Sequence, residues 1–173
     1  MNEALPPDPG SFAREPVPAR REFARRIDSL EAVFAFVRPL LDAHGVIDAD
    51  AYAIEMTIEE LFTNMVKYNA AGSGQIELEI VCGAGAVRCR LTDPDSERFD
   101  ITQAPDVDIH QSVEQRRPGG LGIHLVRRMV EAIEYDYTGR CSRISFRRTF
   151  GGPDSEKNSG LASTTLVDRP ERD

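Results

Sequence analysis

The sequence predicts an α+β domain built as a two-layer sandwich, a mostly antiparallel mixed sheet with helices on one face. Three observations predict it: apolar residues recur at helical spacing in two long stretches before residue 70, they do so again after residue 120, and the runs between and after them are short, β-rich and separated by glycine turns. With 173 residues and 40% hydrophobic content, the chain is long enough for one domain with a substantial core and short for two.

The elements follow in order. Residues 1–15 and 151–173 are rich in Pro, Gly, Ser and charge. Such composition buries too little apolar surface to offset the entropy of ordering, so both read as disordered tails around a domain at 16–150. Residues 22–28 read as a first strand. Ser29 is placed to cap a helix reaching about Ala43, with Leu30, Val33, Phe34, Val37, Leu40 and Leu41 as its apolar face, and Gly45 ends it. Asp48 or Asp50 can cap a second helix to about Tyr68, whose Ile54, Ile58, Leu61, Phe62 and Met65 point to a core. Residues 75–81 and 87–91 read as strands joined across the Cys82-Gly-Ala-Gly-Ala86 turn, with Asp93 where the second ends. Residues 94–118 show no sustained period and exceed an ordinary connection, which reads as a lid. Residues 121–133 are helical by pattern, and 135–138 and 143–150 form a closing hairpin around Gly139.

Composition excludes several functions. A net charge of -8 disfavours direct nucleic-acid binding, because a phosphate polymer is repelled overall. Cys82, Cys89 and Cys141 are an odd number without Cys-x-x-Cys spacing, so neither a disulfide framework nor a zinc site is expected. His44, His110 and His124 lack metal-ligand spacing, and no serine sits in a nucleophile elbow. No stretch approaches the ~20 apolar residues of a membrane span, and the N-terminus has no signal-peptide pattern, so a cytoplasmic protein with no membrane association is expected.

The chemistry concentrates in two places. In Glu60-Leu-Phe-Thr-Asn64-Met-Val-Lys67-Tyr68 a carboxylate, an amide and an amine lie along one strip of the second helix, since steps of about 100° per residue bring positions 60, 64 and 67 together. Asparagine is disfavoured inside helices, so Asn64 is either structural or a Mg²⁺ ligand, whose remaining ligands are waters and nucleotide phosphates. Glu60 is either a solvated helix residue or a base able to accept a proton from an attacking hydroxyl. Lys67 either contacts phosphate or lies on the surface. Further on, Arg117-Pro-Gly119-Gly120-Leu121-Gly122-Ile123-His124 is a glycine turn running into a helix, able to offer backbone N–H groups to phosphate; Arg116 and Arg117 precede it. Asp93, at a strand end, is a turn residue or an acceptor for the amine of adenine. Base, metal ligand and phosphate cradle are the parts of an ATP site.

With these residues assembled, residues 20–150 resemble the ATP-binding domains of the gyrase, heat-shock-chaperone, histidine-kinase and mismatch-repair (GHKL) superfamily, and within it the anti-sigma-factor serine kinases of the RsbW type. Glu60-x-x-x-Asn64 matches the first box of that family, Asn64-x-x-Lys67-Tyr68 its histidine-kinase form, and Gly119-Gly120-Leu121-Gly122-Ile123 with the following residues its last box. The middle box departs: Asp93-Pro-Asp95-Ser-Glu-Arg-Phe99-Asp100 lacks the usual glycine and has one extra residue, leaving Asp95 as the alternative to Asp93. The resemblance implies ATP and Mg²⁺ as cofactors, Glu60 as general base, and Asn64 as metal ligand. It further implies Lys67, Tyr68, Asp93, Arg117 and the 119–123 turn as nucleotide contacts. The implied activity is phosphorylation of a serine or threonine on an STAS-type anti-anti-sigma antagonist, with a sigma factor as alternate partner and a homodimer as the common assembly. Two alternatives remain: a non-catalytic binding module with a degraded nucleotide site, and an ATPase without a protein substrate.

Overall fold

The computed structural model describes residues 16–69, 72–83, 85–98 and 126–151. Their order is β1 (Ala19–Ala24), α1 (Leu30–Ala43), α2 (Asp48–Tyr68), β2 (Gln75–Gly83), β3 (Ala86–Asp93), β4 (Ala132–Thr138) and β5 (Cys141–Thr149). The five strands form one sheet in the order β1-β2-β3-β5-β4. Every pairing among them is antiparallel, so the mixed sheet expected is wholly antiparallel over the described strands.

Alternation along the strands sets which face is covered. In β2, Ile76, Leu78, Ile80 and Cys82 are buried, and Val87, Cys89 and Leu91 of β3 and Ile144 and Phe146 of β5 continue that layer. Most of the intervening residues are charged or polar, among them Glu77, Glu79, Arg88 and Arg90, which suits a sheet with one solvated face. Helices α1 and α2 pack on the apolar face through Val33, Val37, Leu41, Ile54, Ile58, Leu61 and Phe62, each fully buried. Burial of this kind contributes roughly 1.5–3 kcal/mol per large side chain and dominates the stability of the domain. Phe23 joins β1 to α1, its ring 6.0 Å from that of Phe36.

Several boundaries differ from the sequence expectation. The first strand ends at Ala24 rather than Asp28, because the chain folds back through Arg26 N–H to Ala24 O at 2.8 Å and makes a 3-10 turn over Ile27–Ser29. Ser29 is therefore already helical and makes no side-chain cap. Asp48 and Asp50 lie inside the first turn of α2, after Ile47, instead of capping it. Asp50 is buried and accepts Arg148 Nη2 at 2.6 Å, which ties α2 to β5. The third helix does not reach Ile133: residues 126–129 are helical, Glu131 N–H already bonds Arg147 O at 3.0 Å, and Ile133 pairs with Phe146 in β4. The alternation Ile133, Tyr135, Tyr137 satisfies the strand once β5 lies beside it.

The closing hairpin turns on Gly139 and Arg140, with φ of 58° and 67°. Two successive left-handed residues give the tight turn whose twist suits flanking strands. That geometry costs Arg140 strain that Gly139 avoids.

Candidate functional site

A cleft open to solvent lies where the C-terminal end of α2 meets the ends of β3 and β5. Helix α2 contributes Asn64, Met65 and Tyr68, and Asn69 follows; Asp93, Ser96 and Glu97 come from the end of β3 and beyond, and Ser142 and Ile144 from β5. Strand alternation explains the polar floor. Asp93 occupies the inward position after Val87, Cys89 and Leu91, and Ser142 the inward position before Ile144 and Phe146. The two are cross-strand partners, Asp93 opposite Ser142.

At the helix side, Asn64 is 4% exposed and donates its amide to Glu60 Oε1 at 2.9 Å. This bond links Glu60, one turn back from the cleft lining, to Asn64, which lines it. Tyr68 is half exposed at the cleft, while Lys67 is exposed and stands outside the lining. Among the described residues no cluster of three His, Cys, Asp or Glu side chains could hold a metal, so a Mg²⁺ here depends on Asn64, waters and phosphate oxygens.

At the floor, Asp93 is 1% exposed and its carboxylate is fully engaged. Arg25, following β1, grips both oxygens, Nη1 to Oδ2 at 2.5 Å and Nη2 to Oδ1. Asp95 N–H donates to Oδ1 at 3.2 Å and Asn69 Nδ2 approaches Oδ2 at 3.4 Å. An ionised carboxylate offers about four acceptor positions, and these four contacts take them. Asp95 is placed differently. Its side chain faces Ser73, whose N–H and hydroxyl each donate to Oδ2 at 2.8 Å, and Arg140, whose Nη2 lies 2.7 Å from Oδ1. The Ser73 backbone N–H, the Ser73 hydroxyl and then Arg140 hold its carboxyl well below the ordinary carboxylate range. Of the two aspartates, Asp93 faces the cleft and Asp95 does not.

Ser96 completes the floor. It is 4% exposed, and its backbone is held by the closing hairpin, with Ser96 N–H donating to Arg140 O at 2.7 Å and Tyr137 OH donating to Ser96 O at 3.2 Å. Its hydroxyl has no partner among the described residues. An orphaned buried hydroxyl lining a cleft fits a polar ligand that supplies the missing hydrogen bond.

The structure brings together Asn64, Tyr68 and Asp93, with Glu60 linked through Asn64. Arg117, Gly119, Gly120, Leu121, Gly122 and Ile123 lie outside the described residues, as does the part beyond residue 98 of the segment expected to be a lid. Sequence reasoning missed Arg25, Asn69, Ser96 and Ser142. A polar residue at an inward strand position was the available signal for Ser142; Arg25 and Asn69 carried none, since their contact with Asp93 is made through space.

Comparison with known proteins adds the family. Compared by sequence with curated proteins, the chain has no significant match. Among solved structures it is similar to the RsbU and RsbW domains of Rv1364c from Mycobacterium tuberculosis, with a TM-score of 0.56 and 17% identity over 79% of this chain. The chain spans 33% of that structure's length. It is similar also to the SiaB-SiaC complex from Pseudomonas aeruginosa, with a TM-score of 0.55 and 17% identity, covering 81% of this chain and 93% of that one. At such identities the likeness is one of fold. A family profile matches residues 23–148, from β1 to the end of β5, and it carries the cleft with it. The chain belongs to the histidine kinase-like ATPase domain family, in which the domain implies ATP binding.

Proposed function

We propose that the protein is an ATP-dependent serine/threonine kinase of the RsbW type, which phosphorylates an STAS-type antagonist and in the alternate partner state binds a sigma factor. The observation that carries this reading is the Glu60–Asn64 hydrogen bond of 2.9 Å beside the cleft. It sets a candidate base and a candidate Mg²⁺ ligand one helical turn apart, where the terminal phosphate and an incoming hydroxyl would meet. Both structural relatives hold this fold alongside a second protein or domain, which supports a partner-switching role.

When bound, Mg-ATP supplies the transferable phosphoryl group. Asn64 would hold the cation through its amide oxygen, and Glu60 would take up the proton of the attacking hydroxyl. Tyr68 borders the cleft, Lys67 and Arg117 are assigned to phosphate, and the 119–123 turn is assigned as the phosphate cradle. Asp93 marks the base end. Phosphate on the antagonist adds about two negative charges to its binding surface and expels it, releasing the kinase for its other partner. A homodimer is part of the proposal.

The filled carboxylate of Asp93 favours a second reading, a partner-binding module that does not transfer phosphate. Incubation with Mg-ATP and an STAS antagonist separates the two. Phosphoserine or phosphothreonine on the antagonist is expected; intact binding without transfer would overturn the kinase reading in favour of the module.

A further inference from the structure

The base end of the cleft holds an acceptor that is used up and a hydroxyl that is not. Asp93 spends its acceptor positions on Arg25, Asn69 and the Asp95 N–H. Ser96 lies in the same cleft, its backbone fixed on both sides by the β4–β5 hairpin and its buried Oγ without a partner. Leaving a buried hydroxyl unbonded is unfavourable, and a ligand in the cleft that Ser96 lines can supply the bond.

We propose that Ser96 is a base-contacting, specificity-determining residue, and that its hydroxyl makes the pocket accept purine nucleotides with either an amine or a carbonyl at C6. The inference rests on the nucleotide-site reading above. An ionised carboxylate can only accept, so a pocket reading the base through Asp93 admits adenine and rejects hypoxanthine, whose 6-oxygen would face it. A serine hydroxyl rotates. It accepts from the 6-amine of adenine and donates to the 6-oxygen of hypoxanthine, so the C6 group of either base finds a partner. Arg25 is what makes this so: while it holds both oxygens of Asp93, the carboxylate neither bonds the amine nor presents a free lone pair to repel the carbonyl.

The test is calorimetric titration of the full chain with Mg-ADP and Mg-IDP, for the wild type and Ser96→Ala. The wild type is expected to bind the two within about tenfold of each other, and Ser96→Ala to weaken both by about five- to tenfold, the loss of one neutral hydrogen bond. Apo Ser96→Ala is expected to melt no lower than the wild type, since it removes an unsatisfied group. A wild-type preference for ADP above about tenfold overturns the inference while leaving the nucleotide-site reading intact, and it needs no variant. Unchanged affinities in Ser96→Ala also overturn it. Binding of neither nucleotide to the wild type overturns the site reading and this inference together.

Discussion

Arg25 and Asp93, 68 residues apart, form a two-pronged ion pair whose side chains are 6% and 1% exposed. The pair closes the end of β1 against the end of β3 and fills the carboxylate at the floor of the cleft. Ser73 adds to its enclosure, its carbonyl oxygen accepting from Arg25 Nη2 at 3.4 Å. In low dielectric such a pair resists loss of one member far more than replacement of both.

Arg25→Ala is therefore expected to lower stability by about 3–5 kcal/mol, since it strands the Asp93 charge. The double replacement Arg25→Met with Asp93→Leu should cost markedly less. Urea denaturation of the three proteins reads both values, and an Arg25→Ala loss under about 1 kcal/mol would contradict the buried pair.

Asp95 predicts an acid-sensitive anchor. Its folded-state pKa is lowered from the ordinary 3.8 by Ser73 and Arg140. A lowered pKa means the carboxylate's contribution is complete above the unfolded value and is lost as pH falls below it toward the folded one. The melting-temperature advantage of wild type over Asp95→Asn should thus be constant from about pH 7 to 5 and shrink below about pH 4. An advantage that grows with acid would contradict the assignment.

Glu60→Ala should lower phosphate transfer at least about 100-fold, the usual yield of a positioned base, while leaving nucleotide affinity nearly unchanged. The affinity is read from the nucleotide-dependent rise in melting temperature, worth about 2.7 kcal/mol at one hundred times the dissociation constant. Equal loss of binding and transfer would remove Glu60 from the base role.

Gly72 leaves no room for a side chain. A Cβ there would lie 2.5 Å from the Asp95 carbonyl oxygen and against the Asn69 amide, which bonds that same oxygen. Gly72→Ala is expected to cost about 1–3 kcal/mol and to weaken nucleotide binding by disturbing Asn69. A fully wild-type melting curve would show that the loop yields freely.

Much of the architecture was legible because its signals are local. The helical spacing of Ile54, Ile58, Leu61, Phe62 and Met65 marks a helix whichever sheet it covers, and all five are buried. The glycine-marked hairpins announced β2, β3 and β5 to within a few residues. Boundaries failed where a tertiary partner intervened: β5 recruits residues 132–134 into β4, and the turn after Ala24 removes 25–28 from β1.

By itself the sequence determined the two-layer α+β plan and the single helical turn separating Glu60 from Asn64, since both follow from residue periods of the chain. Only the tertiary structure decided which aspartate faces the cleft, that Arg25 occupies it, and that the hydroxyl of Ser96 stays free there. Those outcomes depend on the approach of β1, β3 and the β4–β5 hairpin, segments distant in sequence. A buried carboxylate takes whichever cation the fold brings to it, and no local pattern specifies that partner.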